Sequence, residues 1–289
     1  MDEIISVIIP TYNRCGYIRK AVESVLKQSY QDIECIVVDD GSDDDTKKVI
    51  KAINDNRVRY IGYRNNKGAC HARNVGIDNA NGEYIAFQDS DDDWVNTKLE
   101  EQMQYLKVVG ADLVFCQLES RKMDKAAYYP SKKMAEGFVS HKMAMRSFMS
   151  STQTFFGKKD CIKRIKFDEN MPRFQDWDFM IRFTAVYKVY YQKKTLAIQI
   201  LGGDNISSNP NKGYIAICNM IDKYLGEMDR QSLSNLYTLK GTFLVQIGSV
   251  NADTEFLRAI KMNPFSRKAF AKLFLSKLGV LGNLYRRVE

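Results

Sequence analysis

Among 289 residues the sequence has only two histidines, five prolines and six cysteines. Two histidines, His71 and His141, are too few for the usual Cys/His zinc site. Cys15, Cys35, Cys70, Cys116, Cys161 and Cys218 form no CxxC pair and read as reduced thiols rather than a disulfide frame. With 17 glycines and five prolines the chain is neither collagenous nor of low complexity. No run approaches the roughly 18 apolar residues that span a bilayer. The opening MDEIISVIIP is acidic where a secretory signal is basic, so the expected compartment is the cytoplasm. Neither GxxxxGK[ST] nor GxGxxG occurs, which leaves P-loop and NAD-type dinucleotide binding without a motif.

What is present is the composition of a globular protein, 45% hydrophobic and 27% charged. The length allows one large domain or a domain with an appendage. The net charge of +8 is concentrated: residues 258–289 hold eight Lys/Arg and one acid, Glu289, leaving +1 for everything before. The body therefore carries no global field for nucleic acid, and no nucleic-acid partner is expected.

Two periods alternate along the first half. Apolar runs at 4–9, 32–40, 58–62, 82–88 and 112–116 read as strands. Helical patterns occupy 16–28, 45–53, 69–80 and 97–109. Such alternation implies an α/β fold, with a mostly parallel central sheet and helices on both faces. Farther on, helices are expected at 140–149 and 175–187, and strands at 153–157, 189–192 and 196–201. Beyond about 213 the pattern is helical. A soft boundary near 205–212 gives domains 1–205 and 206–289, the second a helical extension.

Parallel sheets bind ligands at the carboxyl ends of their strands. Carboxylates crowd at two of those ends: Asp39, Asp40, Asp43, Asp44 and Asp45, then Asp89, Asp91, Asp92 and Asp93. Asx turns and helix caps account for some, Asp43–Asp45 in particular. For Asp89 and Asp91 a hard divalent cation with oxygen ligands stands beside the turn reading. Arg73, in a helix entered from Gly68, is suited to a phosphate or carboxylate, or to a surface ion pair. In RFQDWDF (173–179), Asp176 and Asp178 are candidate helix N-terminal acids. Alternatively Asp176 is a general base, with Trp177 as an apolar wall for a sugar face.

In order along the chain, SVIIPTYNR (6–14), IVVDDGSDDDT (36–46), NKGACHARNVG (66–76) with GEYIAFQDSDD (82–92), and FQDWDF (174–179) resemble the family 2 inverting glycosyltransferases of the GT-A (nucleotide-diphospho-sugar transferase) fold. The resemblance covers about 1–205. It implies transfer of a sugar from a nucleotide-diphosphate donor, by default a UDP-sugar, to a saccharide or lipid-linked saccharide acceptor. It places Pro10, Thr11 and Tyr12 in the nucleobase pocket, with Tyr12 stacking on the base. Asp40 would accept the base N3–H, with Asp39 in support, and Arg73 would approach the base or diphosphate. Asp89-Ser90-Asp91 matches the family's DxD motif. Asp91 would be the direct ligand of Mn²⁺ or Mg²⁺, with Asp89 nearer the ribose and metal waters. Asp176 falls at the catalytic base. Two departures stand out: Gln175 replaces the acid that usually precedes the base, and 202–208 has no His where some members supply one.

The resemblance also implies a role in bacterial cell-surface polysaccharide or glycolipid synthesis. A non-catalytic, sugar-nucleotide-binding member is the alternative, and joint retention of Asp40, Asp89, Asp91 and Asp176 weighs against it. The C-terminal PFSRKAFAKLFLSKLGVLGNLYRRV (264–288) reads as a basic amphipathic helix. It suits either peripheral contact with an anionic membrane or packing on the catalytic domain.

Overall fold

The structure, a computed structural model, describes residues 3–122, 125–200 and 209–280. The chain divides into two compact units. The first comprises Met1–His141, Met149–Glu169 and Gln175–Gly203, the second Lys142–Phe148, Asn170–Phe174 and Asp204–Glu289. The expected boundary at 205 lies outside the described residues.

The first unit opens with β1 (Ile5–Thr11), α1 (Ile18–Leu26), β2 (Ile33–Asp39), α2 (Thr46–Lys51), β3 (Val58–Gly62), α3 (Ala69–Asp78) and β4 (Tyr84–Phe87). It continues with β5 (Asp93–Trp94), α4 (Lys98–Val109), β6 (Leu113–Lys122), β7 (Lys125–Tyr129) and β8 (Gly137–Phe138). After α5 (His141–Arg146), which falls in the second unit from Lys142 on, come β9 (Phe155–Lys158), α6 (Lys159–Ile165), α7 (Gln175–Thr184) and β10 (Val189–Ile200).

One sheet runs in the order β3-β2-β1-β4-β9-β6-β10-β5, with β7 on β6 and β8 on β10. The β3-β2-β1-β4 half is parallel. Every residue of β1 is buried, because both of its faces are covered. Ile5, Val7 and Ile9 join a core with Ile18 and Val22 of α1 and Leu99 and Met103 of α4. Ile8 points the other way, toward Ile77 of α3, Ile162 of α6 and Phe179 and Phe183 of α7. The strand's period of two thus assigns alternate residues to opposite helical layers.

The far half is mixed. β9 runs antiparallel between β4 and β6, while β6 and β10 are parallel. The strands expected at 189–192 and 196–201 are one strand, β10, whose register against β6 shifts between Gln192 and Thr195 and again before Ala197. The exposed Lys193-Lys194 pair breaks the burial pattern without breaking the strand.

The chain steps outward from β1 to β2 to β3, then crosses back through α3 to set β4 on the other side of β1. That reversal opens a crevice beyond the carboxyl ends of β1 and β4.

In the second unit the long elements are α8 (Pro210–Tyr224), α9 (Arg230–Gln246), α10 (Ala252–Met262) and α11 (Arg267–Lys277). Asn209 caps α8 ahead of Pro210, and Asp229 caps α9 by accepting from the Ser232 N–H. Arg146 pairs with Asp229 at 2.5 Å, tying 142–148 to the start of α9. No described helix is long and apolar enough to cross a membrane.

Candidate active site

The loops leaving β1 and β2 are laced together. The Asp40 N–H donates to the Thr11 carbonyl at 2.8 Å. Asn13, at φ +50°, turns its N–H onto Ser42 Oγ (2.9 Å) and accepts the Asp43 N–H on Oδ1 (3.0 Å). The helix start at Thr46 is served by Asp44: Oδ1 accepts the Thr46 N–H at 2.9 Å, while Oδ2 accepts the Cys15 N–H at 3.0 Å. Asp45 occupies the cap position without capping through its side chain, so Asp44 alone of the expected trio does that work. Burial alone would raise the Asp44 carboxyl, but the bonds from Thr46 and Cys15 outweigh it and hold it at about 2.

Asp39 and Asp40 are both buried and multiply bonded. Asp39 accepts the Ser42 N–H (2.9 Å) and the Tyr60 hydroxyl (2.8 Å). Asp40 accepts the Tyr63 hydroxyl (2.7 Å) and the N–H groups of Lys67 and Gly68 (2.8 Å each). A carboxylate offers about four acceptor positions, so Asp40 keeps one for a ligand donor. Gly68, at φ +96°, caps α3 in a conformation that aims its N–H at Asp40. Burial, and then the adjacent carboxylates, push the Tyr60 and Tyr63 phenols up, which keeps both hydroxyls as donors. Neither tyrosine was marked by the sequence.

Thr11 is buried, and its Oγ1 has no partner among the described residues. Pro10 is buried in β1 beside it, and Tyr12 lies open at 45% exposure.

Beyond β4 the acids separate by role. Asp92 turns inward, where its carboxylate accepts from the Ile200 N–H (3.1 Å) and the Gln153 amide. Burial, then the charges of Asp89 and Asp91, push it up to about 8. Ser90 is buried. Asp91 remains at the rim, 3.8 Å from Arg14 Nε, and is raised by burial and by Asp89. Asp89 Oδ1 receives a 2.9 Å bond from Arg73 Nη2.

Arg73, projecting from α3, joins two parts of the site. Its Nη1 donates to Gln175 Oε1 at 3.1 Å, and its guanidinium lies 5.5 Å from the Phe167 ring centroid. Its Nε is buried with no partner among the described residues.

Gln175 begins α7, and Asp176 follows it in the first turn. Asp176 Oδ1 accepts the Trp177 N–H at 2.9 Å. The residue is half-buried. Burial pushes its carboxyl up to about 7, against the opposing pull of the Trp177 N–H and Arg73. Asp178 is structural: wholly buried, it pairs with Arg182, which also donates to the Ile165 and Lys166 carbonyls. Trp177 is only 2% exposed and presents no open face, which removes it as a wall for a sugar. The segment 202–208, where a further ligand was sought, lies outside the described residues.

The donors at the rim are carboxylate oxygens, the chemistry that suits Mg²⁺ or Mn²⁺. Asp91 is raised by burial and then by the charge of Asp89, and an added cation would offset both. No cluster of three or more acidic, His or Cys ligands occurs among the described residues, so a bound ion would need ligand or water oxygens to complete its shell. The residues present fit such an ion.

The family model described as glycosyl transferase family 2 matches residues 6–171. An uncharacterised glycosyltransferase of Rickettsia felis is 31% identical over 231 residues, 78% of this chain but 38% of that protein. The Escherichia coli protein named UDP-Glc:alpha-D-GlcNAc-diphosphoundecaprenol beta-1,3-glucosyltransferase WfaP is 46% identical over 105 residues, 36% of this chain and 42% of that one. The chain thus spans about two fifths of the length of these relatives. In fold it is similar to Staphylococcus aureus TarS 1–349 in complex with UDP-GlcNAc, with a TM-score of 0.68 at 18% identity over 99% of this chain and 92% of that one. It is also similar to the mannosyltransferase PcManGT of Pyrobaculum calidifontis in complex with GDP-Man and Mn²⁺, with a TM-score of 0.65 at 17% identity, covering 98% and 82%. These folds are GT-A, and with a family match across more than half its length the chain belongs to glycosyl transferase family 2.

Proposed function

We propose that the protein is an inverting glycosyltransferase. It moves a sugar from a nucleotide-diphosphate donor, a UDP-sugar, to the hydroxyl of a saccharide or lipid-linked saccharide in bacterial surface polysaccharide or glycolipid synthesis. The observation that carries this reading is the Arg73 bridge: one guanidinium holds Asp89 of the DxD segment and Gln175, the neighbour of Asp176. That bridge links one acid proposed to face the donor, Asp89, to the residue that precedes the proposed base.

Inversion by single displacement needs a base on the face opposite the leaving group. Asp176 accepts the acceptor proton as the new bond forms; a carboxyl near 7 is better matched to that task than one near 4. Arg73 offers its charge to the departing diphosphate. Asp40, its carboxylate oriented by three donors, uses its remaining acceptor position for the base N3–H, and Tyr12 supplies a stacking face. Asp91, with Asp89 beside it, would hold a divalent cation, Mn²⁺ or Mg²⁺, whose charge offsets that on the leaving diphosphate. The donor named for TarS and the donor and lipid-linked acceptor named for WfaP support the choice of substrates. The Mn²⁺ of PcManGT supports the choice of ion.

The test is nucleoside-diphosphate release from a panel of sugar nucleotides, with and without Mn²⁺. Turnover that depends on the ion and is lost in Asp91→Ala is expected. No turnover with any donor, together with unchanged nucleotide binding by Asp91→Ala, overturns the reading in favour of a non-catalytic binder.

A further inference from the structure

The last helix of the second unit has two unlike faces. Its inner face is anchored. Ala269 is fully buried, Leu273 packs against the core of Leu244, Ala252 and Phe256, and Lys272 donates to Thr242 Oγ1 of α9. Ser276 Oγ donates to Asp253 Oδ1 of α10 at 2.6 Å. These contacts fix the rotation of α11 about its own axis.

The outer face is apolar and cationic at once. Phe270, Phe274 and Leu278 are 48%, 65% and 57% exposed. At about 100° per residue they share an arc of roughly 100° with Arg267 and Lys277. Phe265, in the turn before the helix, is 89% exposed, and Leu257 of α10 is also exposed. From Arg258 to Val280 there are six Lys/Arg and no acid. Of these, Arg258 pairs with Glu255 at 3.1 Å and Lys272 lies on the inner face, so the cations beside the exposed rings are Arg267 and Lys277. Aromatic side chains left in water beside such cations are costly on a surface that meets only solvent.

We infer that this face of α11, with Phe265, docks on an anionic phospholipid surface, the rings entering the interface while Arg267 and Lys277 meet lipid phosphates. Charge complementarity selects the partner. A second copy would bring the same cations face to face, and an apolar protein groove would leave them unanswered. A lipid surface answers both halves of the stripe. The anchoring contacts, to α9 and α10 of the same unit, and the exposed stripe thus lie on opposite faces of one helix. The inference stands apart from the proposed transfer reaction, since binding is read without turnover.

The experiment is flotation of the full chain with vesicles of phosphatidylglycerol and phosphatidylcholine, against vesicles of phosphatidylcholine alone. Binding to the anionic vesicles is expected to fall as salt rises. Phe270→Ser/Phe274→Ser should lower the partition coefficient at least tenfold. Arg267→Glu/Lys277→Glu should lower it about 30-fold or more, the loss of two cations near such a surface. Melting temperature and sugar-nucleotide turnover should not change in either variant. No binding to anionic vesicles, or equal binding by the Phe variant, overturns the inference. So does a wild-type dimer in sedimentation equilibrium that the Phe variant abolishes, which would assign the face to a second copy.

Discussion

Arg73 Nη2 lies 2.9 Å from Asp89 Oδ1, and the same guanidinium reaches Gln175 at 3.1 Å. Lys cannot make that fork, because its ammonium is a single point of charge. Arg73→Lys is therefore expected to keep the fold and lower kcat/KM on the order of 10- to 100-fold, the range for a displaced charge-assisted bond. Gln175→Ala should also slow the reaction, since Arg73 would then be held only by Asp89. Both are read by steady-state nucleoside-diphosphate release; rates equal to wild type in both would separate the bridge from catalysis.

Asp176 supplies a pH signature. An unfolded Asp titrates near 4, whereas burial holds this carboxyl at about 7. Between those values the folded chain keeps a proton that the unfolded chain has lost. The stabilising contribution is complete below about pH 4 and is lost as pH rises through about 7. Under the proposed role of Asp176 catalysis runs the other way, because a base must be ionised. kcat/KM should climb with pH and level off above about 7. Asp176→Asn should abolish transfer, spare donor binding by calorimetry, and flatten the 4–7 limb of the stability curve.

The fold was legible where burial is two-sided. The runs ISVIIPT and IECIVVD have no polar face, so only a covered strand accommodates them. Of the antiparallel members, β9 was legible as the strand expected at 153–157, whereas the shortest were not. β5 and β8 are two residues each, and α6 buries only Ile162, so neither leaves a periodic trace. The acids of the site were visible as a cluster, because like charges do not crowd without cause. Their sorting was not visible. Asp92 turns inward because β10 and Gln153 meet it there, and Asp40 is oriented by Tyr63, 23 residues away. Such partners depend on the pairing of β2 with β3, which no local pattern encodes.

Gly41 follows the two acids at φ +81°, and a Cβ there would sit 2.9 Å from both the Asn65 carbonyl carbon and the Asn66 nitrogen. Those are backbone atoms of the loop that brings Lys67 and Gly68 to Asp40, so the clash cannot be relieved by a rotamer change. Gly41→Ala should cost about 1–3 kcal/mol in urea unfolding from strain at this conformation. It should also weaken UDP binding through displacement of the 64–68 loop. Loss of stability without loss of binding would show that the loop yields elsewhere.

Lys98 is a charge placed in the core. It is wholly buried at the start of α4, its Nζ 2.6 Å from Gln102 Oε1 and 3.9 Å from the Trp94 ring centroid, with Cys116 the titratable neighbour. Burial pushes it down to about 8 from the usual lysine value near 10.5. Below about pH 8 both folded and unfolded chains carry the proton, and the desolvation cost is fully felt. Between about 8 and 10.5 the folded chain has released a proton that the unfolded chain keeps, so stability rises with pH. Lys98→Met fills the same space without the charge. It leaves the buried Gln102 Oε1 without that donor, about 1–3 kcal/mol, and removes a penalty of about 3 kcal/mol. A net gain of at most about 2 kcal/mol is expected in urea unfolding at pH 7, turning to a net loss by pH 10. A gain that does not change with pH would mean that packing, and not the buried ammonium, sets the cost at this position.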